Sequence, residues 1–137
     1  MVEPEVIENK IRKLQEYLEK LSKLAETKKK EFLADFRNTA SAKYLIQVSI
    51  ECCLDIANHI IASEKFRSPR DYVDSFRVLH ERGIIPDSLI GNLEKMAKFR
   101  NRLVHIYWEI NDDLIYEILQ SNLNDFNLFI QNILKLF

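Results

Sequence analysis

Glycine and proline are scarce in this sequence of 137 residues. Its two glycines are Gly83 and Gly91, and its three prolines are Pro4, Pro69 and Pro86. A sandwich or barrel of many strands needs turn residues at short, regular intervals. The scarcity therefore excludes such folds and favours an all-α fold. The 47% hydrophobic content is enough for one sizeable core in a chain of this length.

The sequence has no excess of charge of either sign. Twenty basic and 21 acidic residues give a formal net charge of -1. A protein with this balance lacks an overall positive field that would steer it onto nucleic acid or an anionic membrane. Any site that binds phosphate must therefore be local.

Cysteines and long apolar runs are also few. The two cysteines, Cys52 and Cys53, are adjacent in an apolar segment, where helical side chains about 100° apart cannot form a disulfide without distortion. We predict two reduced core residues. No uninterrupted run approaches the roughly 20 apolar residues of a membrane span, and no signal peptide precedes the first helix. No zinc spacing or glycine-rich nucleotide loop occurs either. We expect a soluble, cytoplasmic protein without a cofactor.

Apolar residues recur at helical spacing along the whole chain. The pattern predicts about five helices that pack as an up-and-down bundle in one domain, residues 1–137. These helices are expected to begin at Pro4, near Phe32, at Pro69, at Pro86 and after Asn111, and the last is expected to reach the C-terminus.

Several boundaries and buried faces follow from local sequence. Ser68 is predicted as an N-cap, Gly83 as a left-handed C-cap and Asn111 as a second N-cap. Phe36 and Tyr72 occur at helical spacing with other apolar residues. We therefore expect both rings in buried stripes.

The predicted second helix is apolar on nearly every side between Tyr44 and Ile61, so we expect it at the centre of the bundle. Its polar residues Glu51, Asp55 and Asn58 follow one another at spacings of four and three. Buried polar groups need partners, so these three residues form either a polar line along a cleft or the solvent edge of the helix. The sequence leaves both interpretations open.

The segment KFRNRLVHIYW, residues 98–108, places many polar groups at the end of an amphipathic helix. Asn101 and Arg102 precede His105 by four and three residues, so the three share a face. Arg100 lies about 140° away and joins that face only if the helix ends near the histidine. The cap expected a few residues later predicts such an ending.

This group of side chains fits chemistry at a phosphodiester. A histidine flanked by arginines is discouraged from carrying a proton, so His105 is expected to be a neutral base near pH 7. Arg100 would bind phosphate oxygens, and Asn101 would orient the ring or the substrate. Together they would let a 2′-hydroxyl attack its own phosphate without a metal ion. The alternative is a helix C-terminus whose dipole attracts Arg102 and His105.

The motif resembles that of HEPN-domain ribonucleases. Arg100, four residues and His105 reproduce their arginine–histidine pattern, and Tyr107 adds the tyrosine of the HepT branch of toxins. Residues 51–61 resemble the second-helix signature of that branch, and residues 72–85 resemble its middle segment. The resemblance covers the chain from about Phe36 to the C-terminus.

This resemblance implies a helical homodimer whose two motifs line a shared cleft. Such a dimer is an endoribonuclease that cleaves transfer or messenger RNA without a metal ion. Arg100 and His105 would be its catalytic residues, supported by Asn101 and Arg102. An acidic residue of the long helix would also join the site. The sequence does not decide whether this residue is Glu51 or Asp55.

The resemblance also implies a toxin–antitoxin pair. The partner would be a nucleotidyltransferase (MNT) antitoxin that transfers AMP to Tyr107. AMP adds bulk and negative charge beside the cleft, which opposes entry of a phosphate substrate. A second hypothesis is a non-catalytic helical dimer that binds a nucleotidyltransferase partner or a nucleotide. The near-neutral charge favours it, since RNA-binding proteins usually display a basic face.

Overall fold

The computed structural model describes residues 2–137, and every regular element in that range is a helix. This confirms the predicted all-α fold. Within the described range there are seven α-helices, and a short 3₁₀ helix follows the fifth. They are α1 (Pro4–Ala25), α2 (Lys29–Ala34), α3 (Phe36–Ser63), α4 (Tyr72–Glu81), α5 (Asp87–His105), the 3₁₀ helix (Tyr107–Glu109), α6 (Asp112–Ser121) and α7 (Leu123–Leu134).

Two of the predicted helices are interrupted, which gives seven α-helices in place of about five. Asp35 has an extended backbone between α2 and α3, and its carboxylate accepts from the Arg37 N–H and pairs with the Arg37 guanidinium. Asn122 separates α6 from α7. Asparagine has a low helix propensity, because its side chain can hydrogen-bond to nearby backbone groups in non-helical conformations. Phe36 is 80% exposed, so the prediction of a buried ring was wrong. The break at Asp35 shifts the phase of the apolar stripe.

Helix α1 has a narrow apolar seam on an otherwise charged surface. It begins with Pro4 in its first turn, as predicted, and packs mainly against α3. The seam is buried up to Leu21 at each position where the spacing of four and three places an apolar residue, and Ala25 at its end is half-buried. Its buried members are Ile7, Ile11, Leu14, Leu18 and Leu21.

Helix α3 is the centre of the bundle, as predicted, and contacts α1, α2, α4, α5 and α6. Among the described residues it is the one helix long and apolar enough to cross a membrane, and 56% of that apolar window is buried inside the protein. A core helix of a bundle meets the same criterion. Cys52 and Cys53 are unbonded, as predicted, and burial raises the pKa of both thiols.

The loop between α3 and α4 corrects one predicted boundary. Asp71, not Ser68, is the N-cap of α4, and its Oδ1 accepts from the Asp74 N–H at 2.7 Å. The Arg67 guanidinium contacts Asp74 at 2.8 and 2.9 Å and also pairs with Glu81, which holds the preceding segment away from a helical path. The left-handed cap at the other end of α4, at position 83, is confirmed by its φ of +76°.

Helix α5 ends at His105, as predicted. Ile106 leaves the helical region at φ −135° and ψ 40°, and the 3₁₀ turn follows at once. Asn111 then caps α6, with its side-chain oxygen 2.7 Å from the Asp113 N–H, which confirms the second predicted N-cap. The whole polar segment is therefore placed at a helix end and an exposed turn.

Candidate active site

Arg100 is held in place by side chains from three helices. Its Nε and Nη2 donate to Glu51 Oε2 at 3.0 and 2.8 Å, and its Nη1 donates to Asn101 Oδ1 at 3.3 Å. The guanidinium carbon lies 4.7 Å from the centre of the Tyr72 ring. The side chain of Arg100 is 16% exposed, so these charge-assisted bonds are partly shielded from water. Its orientation is therefore fixed before any ligand arrives.

His105 occupies a different environment. It is the last residue of α5, its side chain is exposed, and within the described residues no hydrogen bond joins it to another group. It follows Arg100 by five positions, which places the two about 140° apart around the helix. A single chain therefore presents an anchored guanidinium and an exposed imidazole on different sides of one helix end.

Arg102 adds to a local group of cations on α5. It shares an exposed surface with His105, as the spacing predicts, and lines a cavity of about 380 Å³ together with Lys95 and Lys98. Asp125 at the same cavity is the acidic member of this rim. A near-neutral protein thus has a positive strip beside the motif, the local kind of field that phosphate binding needs.

Tyr107 projects from the 3₁₀ turn and is 40% exposed, as predicted for its place after the helix end. Lys43 Nζ lies 4.6 Å from the centre of its ring and 3.3 Å from Asp112 Oδ1. Lys43 is itself buried on α3. Its ammonium group therefore connects α3 to Tyr107, at the start of the turn, and to Asp112, just after it. The neighbouring Trp108, which is the single tryptophan of the sequence, is 76% exposed.

The sequence left two interpretations open for the polar residues of α3, and the structure divides these residues between them. Glu51 and Asn58 have partners within the bundle: Glu51 binds Arg100, and Asn58 Oδ1 accepts from Ser75 Oγ at 2.8 Å. Asp55, between them, is exposed. Of the two acidic candidates, Glu51 is the one that the structure brings into contact with the motif.

A cleft of about 710 Å³ opens beside the motif. It lies between the end of α3, the loop before α4 and the first turns of α4, and Asn101 is its one lining residue from α5. The described residues contain no group of three or more histidine, cysteine, aspartate or glutamate side chains that could hold a metal ion. No metal ligands can therefore be named.

Two residues beside the motif were not identified from the sequence. The sequence predicts the Tyr72 ring in a buried stripe, but the ring is 44% exposed and supports the Arg100 guanidinium. The sequence held no signal for this contact, because Tyr72 and Arg100 lie on different helices. Lys43 was detectable as the cation directly before the apolar segment that starts at Tyr44.

Residues 9–133 match the protein family described as Ribonuclease HepT-like. The chain belongs to the HepT-like ribonuclease family. The matched region includes the whole motif from Arg100 to Tyr107. It also includes Glu51 and Tyr72, which contact Arg100. The resemblance seen in the sequence is thereby confirmed.

Other HepT-like proteins are similar to this chain over most of its length. An mRNA nuclease HepT of Shewanella oneidensis is 38% identical over 100 residues, which is 73% of this chain and 75% of that protein. A tRNA nuclease HepT of Aphanizomenon flos-aquae is 25% identical over 134 residues, 96% of this chain and 90% of that protein. A solved structure of the tri-AMPylated HEPN toxin of Shewanella oneidensis in complex with MNT antitoxin superposes with a TM-score of 0.88. It is 33% identical, with 96% of this chain and 98% of that one covered.

Proposed function

We propose that this protein is the endoribonuclease toxin of a toxin–antitoxin pair, and that it cleaves RNA in a cleft shared by two copies of the chain. Membership of the HepT-like family supports the reaction class, since two relatives are named mRNA and tRNA nucleases. The observation that carries the proposal is the anchored guanidinium of Arg100, which Glu51 and Asn101 orient on the same helix that ends at the exposed His105.

Arg100 keeps donors for a substrate. A guanidinium has five N–H donors, and three of those of Arg100 are used by Glu51 and Asn101. Two remain, enough for a fork on the non-bridging oxygens of a phosphodiester. Donors that are fixed in advance stabilise the negative charge that grows on those oxygens in the transition state.

His105 is the base of this mechanism. Its imidazole takes the proton of the 2′-hydroxyl, O2′ forms a bond to phosphorus, and the bond from phosphorus to O5′ breaks. The products are a 2′,3′-cyclic phosphate and a 5′-hydroxyl, whose oxygen receives a proton from the second His105 of the shared cleft, which enters the step as an imidazolium. Proton exchange with water then returns both histidines to their starting states. No metal ion is required at any of these steps, and the proposal includes no cofactor.

Regulation by AMP at Tyr107 extends the proposal. The ring is exposed at the turn directly after the helix that carries Arg100 and His105, so a transferase could reach its hydroxyl. A related toxin is AMPylated and bound to MNT antitoxin. We infer a nucleotidyltransferase partner for this chain, acting in the cytoplasm, where RNA and ATP are both present.

The test is cleavage of purified RNA by the purified protein in EDTA. Wild type is expected to cleave, while Arg100→Ala and His105→Ala are each expected to lose about a hundredfold or more in rate. Arg77→Ala and His80→Ala are matched controls, because these residues pair with Glu94 and Asp87 away from the motif. Their rates should equal that of wild type.

Cleavage that survives both motif substitutions would reject the site. Binding of the antitoxin without any cleavage would favour the non-catalytic hypothesis.

A further inference from the structure

The 710 Å³ cleft has the size and the lining of a ligand site. Its volume lies within the range of pockets that hold small organic ligands. Ile61, Ala62 and Phe66 provide apolar surface, and Asn58 of α3 and Asn101 of α5 provide amides. An apolar wall with a few polar groups fits a flat heterocycle better than a free phosphate.

The orientation of both amides is set by hydrogen bonds to their neighbours, Arg100 outside the cleft and Ser75 in its lining. Asn101 Oδ1 accepts from Arg100 Nη1, and Asn58 Oδ1 accepts from Ser75 Oγ. Since each oxygen is occupied, each amide nitrogen is left as the group that can donate to a ligand. The cleft therefore offers two NH₂ donors suited to the carbonyl and ring-nitrogen acceptors of a base.

The wall of the cleft is braced from behind. Arg67 binds Asp74 and Glu81 without lining the cleft, and the Arg82 guanidinium covers the Phe66 ring at 4.5 Å. Lys65 at the rim has a left-handed backbone with φ of 56°. These contacts hold the loop before α4 in shape, so the cleft exists before a ligand enters.

Asn101 connects the cleft to the motif. Its oxygen touches the guanidinium that we assign to the scissile phosphate, and its side chain also lines the cleft. A nucleotide next to that phosphate would therefore reach the cleft with its base. Lys65 and Arg70 at the rim supply positive charge for the adjoining backbone.

We propose that the cleft binds one unpaired base of the RNA, next to the linkage cut at Arg100 and His105, and so selects where the RNA is cut. This inference rests on the proposed ribonuclease function. The base enters between Asn58 and Asn101, receives hydrogen bonds from their amides and contacts the Tyr72 or Phe66 ring. Contact with an aromatic ring and two donors gives a preference among bases and a lower KM.

The first experiment measures steady-state cleavage of oligoribonucleotides that differ at one position beside the cut. Ala62→Trp fills the cleft, and Arg77→Ala, which lies outside both the cleft and the motif, is the control. Asn58→Asp keeps the acceptor for Ser75 but removes the NH₂ donor. We expect Ala62→Trp and Asn58→Asp to raise KM about tenfold, to leave kcat within about twofold and to weaken the preference at that position. Arg77→Ala should match wild type.

The second experiment needs no cleft variant. The full-length His105→Ala protein is irradiated with an RNA that contains 5-bromouridine beside the cut, and the crosslinked peptides are identified by mass spectrometry. We expect crosslinks on peptides that contain Phe66 or Tyr72. Crosslinks confined to other peptides, or unchanged KM and unchanged preference in both variants, would overturn the proposal.

Two further outcomes separate it from its alternatives. If wild type cleaves none of the oligoribonucleotides and no crosslink forms, the proposed function fails and the cleft proposal fails with it. If wild type cleaves, but Ala62→Trp changes only the binding of the nucleotidyltransferase, then the cleft is a protein-docking site and the RNA assignment is wrong.

Discussion

Arg100 shows how one side chain joins distant parts of the sequence. Its partner Glu51 is 49 positions earlier on α3, and its aromatic support, Tyr72, begins α4. A half-buried cation of this kind would shift toward water if its carboxylate were removed. The site therefore depends on a residue that is not part of the motif itself.

Glu51→Gln is the direct test of this dependence. The neutral amide offers a weaker acceptor to the guanidinium, and a hydrogen bond to a charged group is worth about 1.5–3 kcal/mol. We expect cleavage to slow by roughly tenfold to a hundredfold, measured in single-turnover assays. Glu94→Gln is the matched control, since Glu94 pairs with Arg77 elsewhere. A wild-type rate for Glu51→Gln would show that the ion pair is structural only.

At the scale of elements, local sequence predicted the helix ends better than the helix breaks. The caps Gly83 and Asn111 were identified because their residue types have strong conformational preferences. The break at Asp35 was missed because the apolar spacing from Phe32 to Phe36 continues across it. The start of α4 was misplaced because the Arg67 ion pairs, which keep the loop extended, join residues that are not adjacent.

The same loop predicts how stability changes in acid. The Arg67 guanidinium, with the Arg70 N–H, holds the pKa of Asp74 well below its usual range. Because the folded pKa is depressed, this carboxylate stabilises the protein above the unfolded pKa of about 3.9 and loses its effect as pH falls further.

Asp74→Asn should therefore lower the urea midpoint at pH 7, and the difference from wild type should shrink between pH 4 and about 2. Urea titrations followed by circular dichroism measure both. Asp55→Asn, at an exposed position on α3, should leave the midpoint unchanged at either pH. A deficit for Asp74→Asn that stays constant through the acid range would mean that the ion pair with Arg67 is not its source.

At the scale of the whole molecule, composition and periodicity predicted the fold class. They did not predict whether one chain brings Arg100 and His105 together in a complete site. Arg100 is anchored inside the bundle while His105 faces solvent, and this difference in exposure depends on packing among α3, α4 and α5. The spacing of Arg100 and His105 in the sequence predicted only the angle between the two side chains about the helix axis. A second copy, docked through the helix with the motif and the last helix, is our explanation for how the two groups meet on one phosphate.

A shared cleft predicts both a mass and a rate law. Light scattering at micromolar concentration should give about twice the 16.2 kDa of one chain. Activity per chain should fall on dilution, because separated chains hold only half of each site. Dilution of Arg77→Ala should give the same curve, since its substitution lies outside the motif. A monomeric mass with constant activity per chain would rule out the composite site.

Trp108 gives the protein a built-in optical reporter. It is the sole tryptophan, it is largely exposed, and it adjoins Tyr107 on the 3₁₀ turn. Indole emission moves to shorter wavelengths when water is removed from around the ring. Any event that covers the turn, whether a bound protein or a modified neighbour, therefore changes the fluorescence spectrum without an attached dye.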